Sequence, residues 1–197
     1  MLHYFLRLIN LLNKKTQIYF STKMGEKSMP EIKNILYTTD LSKNSAFAFR
    51  YATEMAEKHN SVIFILNVIE ALPESAKIVL ENYLTDEQYS KFLNKKEESK
   101  DIIRERLNTF CENMQKDDPQ CVFRVTSIDV IEGHPVNEIL KHAQKNNCDI
   151  IVMGTHGKGI ISHALLGSVA EKVLRKSRIP VVVIPIPEDK TEFKYEI

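Results

Sequence analysis

The sequence of 197 residues contains no tryptophan, and aromatic residues make up 8% of it. Aromatic platforms on which nucleic-acid bases stack are therefore not indicated. An excess of charge of one sign is also missing, because 27 Lys and Arg residues balance 26 Asp and Glu residues and leave a net charge of +1. A balanced surface has no general attraction for a phosphate backbone. The composition thus argues against nucleic acid as a partner.

Cysteine is scarce as well, with Cys111, Cys121 and Cys148 as the full set. Their number is odd, and no two of them stand at C-x-x-C spacing, so neither a disulfide framework nor a zinc site is indicated. We expect buried or half-buried free thiols, as is usual for a protein of the reducing cytoplasm.

Long apolar runs are absent. The most apolar stretch outside the strands, residues 1–12, is interrupted by Arg7 and Asn10. A membrane-spanning helix needs about 20 apolar residues, and a secretory signal carries its basic residues before the apolar run rather than after it. We therefore predict no membrane span.

The chain divides by composition into three parts. Residues 1–30 are predicted to be an extension, residues 31–187 the folded domain and residues 188–197 a charged tail. Two hypotheses for the extension stay open: translation starts at Met24 or Met29, or a short amphipathic helix docks on a partner or a membrane surface.

The domain alternates short apolar strands with amphipathic helices. This order predicts an α/β fold with an open parallel sheet, right-handed crossovers and helices on both faces. Such sheets bind ligands at the carboxyl ends of the strands, where the strand order reverses. The predicted strands are 34–39, 62–69, 121–130, 149–153 and 180–184. The predicted helices are 42–59, with Ser42 as its N-cap, 86–114, 135–146 and 167–177, and residues 71–85 are predicted to be irregular.

Glycine is sparse but concentrated after the fourth predicted strand. Four of the six glycines in the chain lie between Gly154 and Gly167. Glycine lets a ligand approach the main chain closely, and main-chain N–H groups in such loops bind anions. Gly167 and Ser168 open a helix whose N-terminus adds further donors. The segment is therefore predicted to bind a polyphosphate. Ser168 is predicted both to cap that helix and to donate its hydroxyl to a phosphate. The alternatives are turn glycines without a ligand, and Ser168 as an N-cap alone.

The spacing Gly154-x2-Gly157-x9-Gly167-Ser168 matches neither the P-loop nor the dinucleotide fingerprint. It resembles the signature G-x2-G-x9-G-[ST] of the ATP-binding branch of the universal stress protein family. The resemblance covers roughly residues 31–186. It implies a Rossmann-like sheet of five strands in the order 3-2-1-4-5, similar to the adenine nucleotide alpha hydrolases.

The resemblance also implies a set of site residues. Asp40 would lie near the adenine and ribose, and the main chain of Val68 would read the adenine edge; helix capping is the alternative role of Asp40. Thr38 stands where family members often carry proline. The implied cofactor-binding residues are Thr39, Asp40, Val68, Met153, Gly154, His156, Gly157, Gly167, Ser168 and Val169.

The function implied by the resemblance is that of a cytoplasmic, ATP-binding regulator of the stress response, with or without Mg²⁺, that forms a homodimer through strand 180–184. Slow ATP hydrolysis or autophosphorylation is one alternative. A nucleotide-independent interaction module is another, and it would gain support if side chains such as Met153 or Leu166 filled the crevice. No recognisable nucleophile–base motif is present, so we assign no catalytic residue and no metal ligand.

Overall fold

The computed structural model describes residues 31–117, 124–155 and 166–185. Strands and helices alternate through these ranges, apart from two consecutive helices between the second and third strands. The elements in chain order are β1 (Asn34–Thr39), α1 (Lys43–His59), β2 (Val62–Glu70), α2 (Glu74–Tyr83), α3 (Asp86–Asp117), β3 (Val125–Gly133), α4 (Pro135–Lys145), β4 (Ile150–Gly154), α5 (Ser168–Lys176) and β5 (Val181–Ile184).

The five strands form one parallel sheet in the order β3-β2-β1-β4-β5. The chain builds outwards from β1 to β3, returns to the other side of β1 for β4 and ends on β5. The strand order therefore reverses between β1 and β4, which confirms the predicted topology. In sheets of this kind a crevice opens outside the carboxyl ends of the two strands at the reversal.

Each face of the sheet is covered by a pair of helices. Ile35 and Tyr37 of β1 pack among side chains of α1 and α3, whereas Leu36 packs on the opposite face, among side chains of α4 and α5. The predicted apolar stripe of α3 is confirmed, because Leu107 and Phe110 are buried in the first of these layers. Burial on both faces explains why the central strands are apolar almost throughout.

One element was predicted wrongly. Residues 71–85 were expected to be irregular, but the helix α2 occupies Glu74–Tyr83. None of its residues is buried, and Ile78 and Tyr83 are exposed to 50% and 82%. Its apolar residues Ala76, Val79, Leu80 and Tyr83 stand at the i, i+3, i+4, i+7 spacing of a helix, so the periodicity was present in the sequence and was missed. The third strand also ends at Gly133 rather than at residue 130, and residues 121–123 lie outside the described ranges.

The expectation for the thiols holds where it can be examined. Cys111 is half-buried and Cys148 is buried, and neither is part of a disulfide. Burial raises the pKa of each of these two thiols to about 12. Cys121 lies outside the described residues. Within the ranges that the structure covers, no helix is both long and apolar enough to span a membrane.

Candidate functional site

A cavity of about 380 Å³ opens at the reversal point of the sheet. The carboxyl ends of β1, β2 and β4 form its floor, and the first turns of α4 and α5 form its wall. One part of the lining is apolar and the other is built from hydroxyls, a carboxylate and glycines. The lining residues are Thr38, Thr39, Asp40, Ser45, Leu66, Val68, Glu70, Pro135, Ile139, Met153, Gly154, Thr155, Gly167, Ser168, Val169 and Ala170.

Side-chain hydroxyls hold the turn between β1 and α1. The Thr39 hydroxyl donates to Ser45 Oγ at 2.8 Å and accepts from the Leu41 main-chain N–H at 3.0 Å. Ser45 Oγ in turn donates to the Ser42 carbonyl at 2.8 Å. Leu41 has a φ of 65°, in the left-handed region that is unfavourable for a leucine. The hydrogen bonds therefore keep the chain in a conformation that it would not adopt alone.

Asp40 is positioned within this turn. Its Oδ1 accepts from Ser42 Oγ at 2.6 Å and from the Ser42 N–H at 3.1 Å. Ser42 is the N-cap of α1, as predicted, because its hydroxyl accepts from the Ser45 N–H at 3.2 Å. Asp40 is thus not the cap itself; it orients the capping serine and lines the cavity.

Thr39 and Thr38 stand on opposite faces of β1. The hydroxyl of Thr39 is engaged by Ser45 and Leu41, and its carbonyl accepts from Asn67 Nδ2 at 2.8 Å. The side chain on the cavity face is that of Thr38, since it alternates with Thr39 and follows Leu36 on the same face. Thr39 therefore contributes to the site through the turn that its hydroxyl fixes.

Beneath the turn, Tyr37 ties β1 to α1. Its hydroxyl donates to the Ser45 carbonyl at 2.6 Å, and the residue is fully buried. Burial raises the pKa of the Tyr37 hydroxyl far above its usual range, which keeps this donor protonated.

The apolar wall of the cavity is formed by β2 and α4. The register of β1 with β2 ends where Thr39 lies opposite Asn67, and β2 continues to Glu70. Val68 therefore lies beyond the last residue of β1 that pairs with β2. The edge of β2 that faces β1 is not paired with β1 at this position, and its main chain can contact a ligand there. The side chains of Ile139 and Pro135 stand across the cavity on α4.

The opposite wall is formed by β4 and α5 and consists largely of main chain. The Thr155 N–H donates to the Ile184 carbonyl at 3.1 Å, and the Gly167 N–H donates to the Thr155 carbonyl at 2.8 Å. Gly167 is the N-cap of α5 and forms no side-chain cap hydrogen bond. The N–H groups of the first helical turn, which begins at Ser168, have no acceptor within the helix. They lie beside the cavity, where the positive end of the helix dipole favours an anion.

The prediction that Ser168 caps this helix is wrong. Gly167 occupies the cap position with φ of −60° and ψ of 148°, and Ser168 is the first helical residue. Its hydroxyl is therefore not needed by the helix terminus and belongs to the lining of the cavity.

Eight of the ten residues predicted to bind a cofactor lie around this one cavity. The other two, His156 and Gly157, lie outside the described residues. Leu66 and Glu70 were missed, although they flank Val68 at the strand spacing of two and share its face. The remaining lining residues are Thr38, Thr155 and Ala170, which adjoin predicted residues in the same segments, and Ser45, Pro135 and Ile139, which the packing of α1 and α4 brings to the cavity.

A doubly wound parallel sheet with a cavity at its reversal point and a helix N-terminus beside it defines the class of α/β ligand-binding proteins. Within this class, the family model described as "Universal stress protein family" matches residues 31–185. The chain belongs to the universal stress protein family.

Individual relatives agree with this assignment. Universal stress protein MJ0577 of Methanocaldococcus jannaschii is 33% identical over 153 residues, which are 77% of this chain and 94% of the relative. Universal stress protein MJ0531 of the same organism is 29% identical over 161 residues, or 79% of this chain and 84% of the relative. A solved structure of MJ0577 superposes with a TM-score of 0.58 at 30% identity and covers 80% of this chain and 98% of that one. UspA of Lactobacillus plantarum shares the fold, with a TM-score of 0.52, 19% identity and coverage of 79% and 99%.

Proposed function

We propose that this universal stress protein binds ATP in the crevice at the reversal point and acts as a nucleotide-dependent regulator in the stress response of the cytoplasm. The observation that supports this most directly is the convergence of two features on one cavity. The uncapped N-terminus of α5 and Gly154 suit a phosphate chain, and the open edge of β2 at Val68 suits a base. Asp40 stands between them, at a position suited to a ribose hydroxyl.

The shape of the cavity supports a small-molecule ligand. Its volume of about 380 Å³ falls in the range of typical ligand pockets, roughly 300–1,000 Å³. Met153 forms part of the wall without closing the cavity, and Leu166 does not contribute to the lining. A nucleotide-independent interaction module would have gained support from a crevice filled by these side chains, and the open cavity supports a ligand instead.

The charges in the cavity favour binding over rapid catalysis. Among the described lining residues the ionisable ones are Asp40 and Glu70, and neither can neutralise a developing phosphate charge as an arginine or lysine would. No group of three potential metal ligands occurs in the described part of the chain. Mg²⁺ would be held mainly by the nucleotide phosphates, as is usual for this ion, and Asp40 and Glu70 are the carboxylates of the described lining.

We also propose that β5 pairs with β5 of a second copy. The Pro180 and Ile184 carbonyls accept from β4, so the alternation of a parallel ladder directs the main-chain groups of Val181 and Val183 towards the free edge. An apolar strand with a free edge binds another strand readily. Pairing about a two-fold axis would cover the β5 edge of both copies, because each copy contributes the same surface to the interface.

Binding is tested by equilibrium dialysis of the full chain against ATP, with and without Mg²⁺, and against GTP as a matched nucleotide. We expect saturable binding of one ATP per chain at micromolar to low millimolar concentration, and weaker binding of GTP. The variant Asp40→Ala should weaken ATP binding about tenfold, since it removes a charged hydrogen-bond acceptor. Failure of the wild-type chain to bind ATP under either condition would refute the proposal.

A further inference from the structure

We infer that occupation of the crevice and the pairing of β5 with a second copy are energetically coupled, and that the coupling runs through Thr155. This inference rests on the proposed function, because it assigns a regulatory consequence to the same ATP site. It starts from the position of Thr155, which lines the cavity and is hydrogen-bonded to both neighbouring segments.

Two main-chain hydrogen bonds place Thr155 between the site and the sheet edge. On one side its carbonyl accepts from the N–H of Gly167, the N-cap of α5, at 2.8 Å. On the other side its N–H donates to the carbonyl of Ile184, the last residue of β5, at 3.1 Å. A displacement of the α5 N-terminus therefore reaches the end of β5 through a single residue.

The far end of this connection is the surface proposed for dimerisation. Ile184 is buried and pairs with Gly154, which itself lines the cavity. Val183 precedes Ile184, and its main-chain groups point towards the free edge of the sheet. The position of Ile184 consequently sets the position of the groups that a second copy would bind.

The direction of the effect follows from the order of these contacts. A triphosphate that accepts hydrogen bonds from the first turn of α5 holds Gly167 and Thr155 in place. The end of β5 then loses less conformational entropy when a second strand pairs with it. ATP should therefore strengthen the dimer, and by thermodynamic linkage the dimer should bind ATP more tightly by the same factor.

The coupling is measured on the full wild-type chain by sedimentation with and without saturating ATP. We expect the dimer dissociation constant to fall about tenfold with ATP, within the usual range for coupled sites. The ATP dissociation constant should also be lower by the same factor at protein concentrations where the chain is dimeric than at concentrations where it is monomeric. For a dimer too tight to dilute, the exchange of isotopically labelled subunits in native mass spectra gives the same comparison, with slower exchange in ATP.

A matched pair of variants tests the route. Gly167 has a φ of −60°, which both alanine and proline adopt, but proline lacks the N–H that donates to Thr155. Both changes alter a residue that lines the cavity, so the ATP affinity of each variant is measured first, and its dimer is then compared with and without ATP at a concentration that saturates that variant. We expect Gly167→Ala to retain the coupling and Gly167→Pro to reduce it to less than about twofold. Circular dichroism spectra establish that both variants are folded, and the wild-type measurement stands without either of them.

The possible results separate the inference from the function on which it rests. Absence of ATP binding refutes the proposed function and the coupling together. ATP binding with an unchanged dimer affinity and an unchanged exchange rate leaves the function standing and overturns the coupling, as does a monomer under all conditions. Equal coupling in Gly167→Ala and Gly167→Pro overturns the route through Thr155.

Discussion

Two connections leave the sheet at the reversal point, the turn after β1 and the segment after β4. Their described residues are held by different kinds of hydrogen bond. The turn after β1 is held by side chains, with the Thr39, Ser42 and Ser45 hydroxyls bonded to one another or to nearby main chain. The segment after β4 is connected by main-chain hydrogen bonds from Thr155 and Gly167. The first turn uses its polar groups internally, whereas the second leaves the N–H groups of a helix terminus for a ligand.

The two segments therefore contribute differently to the protein: the first mainly to the free energy of unfolding, and the second mainly to ligand binding. Hydroxyls that already have partners add to the free energy of unfolding and fix the position of Asp40. Helix N–H groups without internal acceptors add little to stability until an anion arrives. Mutations of the bonded hydroxyls in the first turn should therefore reduce stability more than affinity, and mutations in the second segment should do the reverse.

The largest effect is expected from Gly154→Val in the second segment. A branched side chain at this lining position would occupy space that the ligand needs. ATP affinity should fall roughly 100-fold, or about 2.7 kcal/mol, while the free energy of unfolding changes by less than about 1 kcal/mol. Calorimetric titration and urea denaturation measure the two quantities, and Gly154→Ala provides a graded control with a smaller loss. An unfolding loss larger than the binding loss would contradict the comparison.

The complementary change is Thr39→Val in the first turn. It keeps the shape of the side chain but leaves the Leu41 N–H and Ser45 Oγ without their buried partner. The free energy of unfolding should fall by about 2 kcal/mol, and ATP affinity by less than about fivefold. Thr39→Ser retains the hydroxyl and should recover most of the stability in the same urea experiment. The comparison fails if Thr39→Val is as stable as the wild type.

The smallest effect is expected at Asp129 on β3, which lies outside both turns and serves as a reference for them. Partial burial would raise the pKa of Asp129, but hydrogen bonds with Ser127 and His142, at 2.7 Å and 3.2 Å, outweigh it and lower this pKa below its usual value. A carboxyl whose pKa is lower in the folded than in the unfolded chain stabilises the fold at pH values above its unfolded pKa. This stabilisation is lost as the pH falls through the pKa of the folded state.

The reference variant is Asp129→Asn. Because the Asp129 side chain is 39% exposed, solvent screens its interactions with Ser127 and His142. The variant should therefore be less stable than the wild type by no more than about 0.5 kcal/mol at pH 7, and the difference should shrink below about pH 4. Thermal unfolding followed across this pH range measures it, and ATP affinity should remain unchanged because Asp129 does not line the cavity. A difference that grows on acidification would show that the sign of the pKa shift is wrong.

The two turns also differ in how far they could be predicted. The glycine spacing after β4 is a local signal, since close approach of a ligand to the main chain requires glycine at particular positions. The role of Ser42 as N-cap was visible for the same reason. The hydroxyl network of Thr39 and Ser45 was not, because a hydroxyl six residues away acquires a partner only when the turn folds.

The exposed helix α2 and the apolar wall of the cavity also show how little a local sequence pattern says about the contacts of a residue in the folded protein. The helix Glu74–Tyr83 carries apolar residues at helical spacing but buries none of them, so its periodicity does not correspond to a contact with the core. Ile139 and Leu66 are ordinary core residues in their own segments, and the return of α4 over β2 brings them to the cavity. Nothing in either segment alone distinguishes a lining residue from a core residue.

The sequence by itself determined the alternation of strands and helices, the parallel sheet, the family and the glycine segment, because each depends on burial periodicity or on backbone freedom within a few consecutive residues. Only the tertiary structure decided that Thr155 bonds to both Gly167 and Ile184, and that Asp40, Val68 and the α5 terminus share one cavity. These contacts join segments far apart in the chain. Their geometry depends on strand register and helix packing, which no local pattern of residues encodes.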